Sequence, residues 1–103
     1  MTTNPTTVPD FTIHNLNIIN SEPNKIGNRL LAVFDLWISG LKVCGCVLTE
    51  KNTGIVTAHG PIGKTHRGDN VRIHLADPAL GRAVTRRVAM AYVALTGFEV
   101  ADE

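Results

Sequence analysis

One stretch limits the folds open to this chain of 103 residues: Asp77-Pro78 through Gly97, the segment that reads as a long helix. An aspartate at the N-cap accepts from the first free backbone N–H groups, proline suits the first helical position, and glycine is the natural left-handed stop. Between them Leu80, Val84, Val88, Ala91 and Leu95 recur at helical spacing on one face. Burying each of the larger side chains is worth roughly 1.5–3 kcal/mol, and a lone helix has nothing to bury them against. The upstream residues are strand-like. The economical arrangement is an α+β domain, a small antiparallel meander of about five strands with one long C-terminal helix laid across it.

The strands can be taken in order. Phe11 and Ile13 alternate, then the phase slips to Leu16 and Ile18, which predicts a strand bent by a bulge near Asn15. Asn20 to Asn24 and Gly27-Asn28 are turn chemistry. Leu30 to Ser39 is the strongest strand, with Ala32, Phe34, Leu36 and Ile38 on one side and Leu31, Val33, Asp35 and Trp37 on the other. Both sides are largely apolar, and one helix covers only one of them, so a second subunit is expected over the other. Ser39-Gly40 turns tightly into Leu41 to Leu48, where Lys42, Cys44, Cys46 and Leu48 are expected to share a face. Asn52-Thr53-Gly54 turns again into Ile55 to His59. Gly60 to Asn70 has no apolar periodicity and reads as a long loop of the functional kind. Val71, Ile73 and Leu75 then alternate with Arg72 and His74 as a last half-buried strand. Residues 1–10 read as a disordered arm, 11–97 as a single domain and 98–103 as an acidic tail.

Charge narrows the partners only slightly. The 10 basic and 9 acidic residues leave a net charge of +1, with no polyelectrolyte character overall. Between Lys42 and Arg87, however, eight basic residues face three acidic ones, while Glu99, Asp102 and Glu103 are all acidic. Such a basic half fits an anionic partner, and equally a solvated surface. Two cysteines make no disulfide framework, the first ten residues lack the apolar core of a leader, and no apolar run approaches the ~20 residues of a membrane span. A cytoplasmic location is the expectation.

The chemistry-bearing residues do not assemble into a catalytic pattern. Cys44 and Cys46 on one strand face would lie about 6.6 Å apart. A metal site would need His14, His59, His66 or His74 to complete it, and two cysteines packed in the core is the plainer reading. His59 or His66 with a cysteine would make a Cys/His pair, but no nucleophile motif surrounds either thiol. Asp35 in an apolar strand could be a perturbed acid, and a hydrogen-bonded or edge-facing carboxylate is the plainer reading. Gly60 to Thr65 lacks the spacing of a phosphate-binding loop, and no helix follows it. No enzyme activity, metal or cofactor is expected. On the helix, Arg82, Arg86 and Val93 are expected to project together opposite the apolar stripe, with Met90 beside them and Arg87 at its margin. Two arginines four residues apart make a patch suited to phosphates, or to acids across a dimer contact.

The order of strand, long loop, three-strand meander, basic loop, strand and helix resembles the stage V sporulation protein G (SpoVG) family of small bacterial regulators. The likeness runs from about Phe11 to Leu95 and is best at Pro61-x-x-Lys64-Thr65-x-x-Gly68-x-x-x-x-Ile73, followed by Val84, Val88 and Tyr92. The resemblance implies an α+β fold, dimers formed through sheet pairing, and nucleic-acid binding through the basic loop and helix. Lys64 falls on a basic position of the family's loop and Arg67 lies near it; Arg82 and Arg86 are candidates from charge alone. The expectation is a non-catalytic homodimer, or higher homo-oligomer, that regulates by binding DNA or RNA. The alternative is a protein-interaction module with no nucleic-acid affinity.

Overall fold

A computed structural model describes residues 8–102. Its elements run β1 (Phe11–Ile18), β2 (Arg29–Ile38), β3 (Leu41–Glu50), β4 (Ile55–His59), β5 (Ile62–Lys64), β6 (Asn70–Arg72), α1 (Pro78–Thr96) and β7 (Ala101–Asp102). The fold is α+β, with a five-stranded sheet in the order β1-β2-β3-β4-β7 and a separate two-stranded sheet of β5 and β6. Most of the expected arm at residues 1–10 falls outside the described residues, and Val8 to Asp10 carry no regular element.

The first four strands are antiparallel neighbours, as the turn residues demand. Ser39 and Gly40, with φ of 50° and 77°, adopt the paired left-handed conformations of a two-residue hairpin turn. The fifth position in the sheet is filled differently from expectation. It belongs to β7, parallel to β4 with Ile55 opposite Ala101, so Ala101 and Asp102 of the expected acidic tail return to the sheet while the segment after residue 70 stands apart.

Two bulges decide which side chains enter the core. On β1 the register slips between His14 and Asn17, where Asn15 has φ 55°, as the phase shift in the sequence predicts. The second is at Gly45 of β3, φ 82°, inside a slip that sets Phe34 against Cys46 but Leu36 against Val43. The extra residue sends Val43, Cys46 and Leu48 inward and leaves Cys44 exposed. The expectation that both thiols share a face is therefore wrong, because strict alternation ends at Gly45. A further slip between Leu30 and Ala32 buries Leu31 beside Ala32 instead of turning it to the opposite side.

The core lies between this sheet face and α1. Phe34, Leu36, Leu48 and Val56 meet Val84, Val88, Ala89 and Tyr92. The helix ends are those expected: Asp77 accepts from the Ala79 N–H, Pro78 opens the first turn, and Gly97, φ 76°, donates its N–H to the Val93 carbonyl at 2.8 Å. The buried arc is turned from the predicted stripe. Thr85, Ala89 and Tyr92 are inside, Leu80 and Ala91 are half-buried, and Leu95 is 65% exposed. Hydrogen bonding supplies the reason, since Thr85 Oγ1 accepts from the buried Ala58 N–H at 2.9 Å on the edge of β4. At the other end of the helix the Tyr92 hydroxyl donates to Asn20 Oδ1 at 2.5 Å, tying α1 to the turn after β1.

Candidate nucleic-acid interface

The stretch expected to be an irregular loop is a β-hairpin. Ile62, Gly63 and Lys64 pair with Arg72, Val71 and Asn70, and the Ile73 N–H extends the ladder to the Pro61 carbonyl at 3.1 Å. Its turn follows from Thr65 and Gly68. The Thr65 N–H donates to the Asp69 carbonyl, Gly68 donates back to Thr65, and Gly68 holds φ 87°, the three-residue loop that closes on a left-handed glycine. Thr65 Oγ1 further accepts from the N–H groups of Arg67 and Asp69 at 3.3 and 3.2 Å. The same backbone pattern occurs at Lys51 to Ile55 around Gly54, so the sequence cue was a polar residue followed three places later by glycine.

Pairing sorts the ribbon into two faces. Directly opposed residues share a face, so Ile62, Arg72, Lys64 and Asn70 lie on one side and Pro61, Ile73, Gly63 and Val71 on the other. Lys64, Arg72 and the turn residues His66 and Arg67 are all exposed. Asp69 is the one acid between Gly60 and Ala76, against Lys64, Arg67 and Arg72. Val71 and Ile73, expected to be half-buried in the main sheet, are each 50% exposed because β6 lifts away from it.

The helix arginines are a separate group. Arg82 borders a cleft with Val56, Thr57 and Thr85, whereas Arg86 borders a groove with Pro9, Asp10, Phe11 and Met90. Neither recess includes Lys64 or Arg67. Arg86 is engaged with its surroundings, and the Arg87 guanidinium stands over the Phe11 ring at 4.9 Å, a contact that joins β1 to α1. Val93, expected beside the arginines, is half-buried against the core, while Met90 is exposed.

The sheet face away from α1 is open. Trp37 is 46% exposed there, its ring 4.9 Å from that of His14 and 5.7 Å from Lys42 Nζ. Beside it Asp35 spans both bulges, accepting from Asn15 Nδ2 at 2.8 Å and from the Gly45 N–H at 3.3 Å. The Asn15 bond leads the causes that hold the Asp35 carboxyl below its usual range, with Gly45, Lys42 and His14 adding to it. Asp35 is thus the hydrogen-bonded carboxylate of the two sequence readings. Burial pushes the Cys46 thiol up to about 11, as befits an inert core cysteine.

From the sequence, His59 and His74 are weighed only as metal or Cys/His partners and Arg72 is not singled out; what that reading missed is that the three line one cleft at the root of the hairpin. Among the described residues no three His, Cys, Asp or Glu side chains gather as metal ligands. None of the described helices is long and apolar enough to cross a membrane. Comparisons with protein-family models, curated proteins and solved structures return no match for this chain.

Proposed function

We propose that the protein is a non-catalytic, homodimeric nucleic-acid-binding regulator whose β5–β6 hairpin makes the principal phosphate contacts. The observation that carries this reading is the exposed ribbon with Lys64, Arg67 and Arg72 on one face and tip, accompanied by a single acid. A two-stranded ribbon is a shape that the major groove of B-DNA admits, and lysine and arginine on it neutralise phosphates while releasing counterions. Arg82 and Arg86 are a second, flanking contact on α1. The resemblance of the sequence to the SpoVG family points to the same reading, and a cytoplasmic location is part of the proposal. Dimerisation is assigned to the open sheet face around Trp37.

The test is fluorescence anisotropy with duplex and single-stranded oligonucleotides. Three phosphate contacts from Lys64, Arg67 and Arg72 predict an affinity loss of about 40-fold between about 50 and about 200 mM salt on duplex DNA. The triple alanine variant should lose most of the binding, and Arg82→Ala/Arg86→Ala a smaller part. No binding at low salt, or binding unchanged in the triple variant, would remove the proposal. The exposed Trp37 and Leu41 favour the alternative of a pure protein-interaction module, in which case a salt-insensitive dimer would remain without nucleic-acid affinity.

A further inference from the structure

The end of β4 and the root of the β5–β6 hairpin form a cleft lined by three cation-capable residues, all exposed to solvent. His59 comes from the last position of β4, Arg72 from the last position of β6, and His74 from the irregular stretch between β6 and α1. Gly60 and Gly81 also line the cleft and bring no side chains to fill it, while Ile62 and Leu75 supply apolar wall. Among the described residues that line the cleft none is acidic. One fixed cation beside two imidazoles able to take up a proton, with no carboxylate in the lining, is an arrangement that favours an anion.

We infer that this cleft is a binding site for a tetrahedral oxyanion of the phosphate type, held by Arg72 with His59 and His74. Arginine matches such an oxyanion with two parallel N–H donors, and a protonated imidazole adds a charge-assisted bond on either side. The inference goes beyond nucleic-acid binding, because a free oxyanion would occupy the cleft even if no polynucleotide does.

The site has a built-in pH dependence. The groups that bear on His59 are Lys51 beyond β3, Arg72 of β6 and His74, while its cross-strand neighbour Val47 and the α1 residue Gly81 are neutral. Partial burial first, and then the charges of Lys51, Arg72 and His74, hold His59 below its ordinary value. A bound dianion opposes those charges. Binding therefore raises the His59 pKa and takes up a proton, and the oxyanion is held more tightly as pH falls.

Sulfate is the appropriate probe, since it remains a dianion across the range in which histidine titrates. Imidazole resonances of the intact protein would be followed by NMR during sulfate titration at about pH 5.5 and about pH 7.5, with binding expected to be tighter by about fivefold or more at the lower pH. A saturable response at His59 and His74 that is lost in Arg72→Gln, with unchanged backbone spectra elsewhere, is the expected result. No saturable response, a response equalled by sodium chloride at the same ionic strength, or one that persists in Arg72→Gln would overturn the inference. An oligonucleotide that displaces sulfate would identify a backbone phosphate as the occupant, and failure to displace it would identify a free oxyanion; both support the site. Oligonucleotide binding in a protein that shows no sulfate site would sink this inference while leaving the hairpin reading intact.

Discussion

Gly60 lies against the carbonyl oxygen of Ile73 so closely that a β-carbon on Gly60 would stand 2.1 Å from it. This contact brings the root of the β5–β6 hairpin onto the end of β4, and it has no room for any residue but glycine. Gly60→Ala should force the root apart, cost about 1–3 kcal/mol, and weaken the Ile73 N–H bond to Pro61. Thermal melts and amide exchange at Ile73 measure both effects. Gly63→Ala is the control, because its β-carbon would meet only Val71 Cγ2, at an ordinary 3.8 Å. Equal melting temperatures for the two variants would contradict the assigned role of Gly60.

Thr85→Val keeps the shape of a buried side chain but removes the acceptor for the Ala58 N–H. An unsatisfied buried donor costs about 1–3 kcal/mol, so the urea midpoint should fall accordingly, and Thr85→Ser should retain more of the stability than Thr85→Val. A valine variant as stable as the parent would show that the helix position does not depend on this bond.

Asp35 links pH to stability. Its folded pKa lies below the ordinary carboxylate value, so its contribution is present above that value and is lost as pH falls through the folded pKa. Urea midpoints recorded from neutral pH down to about pH 2 should decline in the parent, and Asp35→Asn should remove part of that decline. Identical slopes for parent and variant would exclude the bridging carboxylate as the cause.

The two thiols should react differently. Cys44 is exposed, whereas Cys46 is buried with its thiol pushed up to about 11. Alkylation of the folded protein near pH 8 should modify Cys44 alone, and denaturant should release Cys46, as mass spectrometry of the digested protein will report. Equal labelling of both in the folded state would count against the Gly45 bulge.

Trp37 reports on the open sheet face, being the single tryptophan of the chain. A dimer through that face would shield the indole, so dilution should shift emission to the red, and Trp37→Lys should reduce the solution mass to that of a monomer. Emission independent of concentration, with a monomer mass throughout, would end the assignment of this face to a dimer.

The candidate surface was legible in part. Lys64 and Arg67 stand out in a run of glycine and polar residues, and they are exposed together on the hairpin. Arg72 and His74 were hidden by their alternation with Val71 and Ile73, a pattern that suits a strand of the main sheet as well as a ribbon that leaves it. His59 joins them only because Gly60 permits the hairpin root to close on β4.

By itself the sequence determined what depends on near neighbours: the helix with its Asp77 and Gly97 ends, the Ser39-Gly40 turn, the β1 bulge at Asn15 and the α+β class. Capping, left-handed turns and short-range periodicity act within a few residues, so their rules are written locally. Tertiary structure decided the rotation of α1, the separation of Cys44 from Cys46, the place of β7 and the gathering of His59, Arg72 and His74. Each of these turns on a contact between residues distant in the chain, where one bulge or one hydrogen bond to a strand edge reverses what alternation alone would assign.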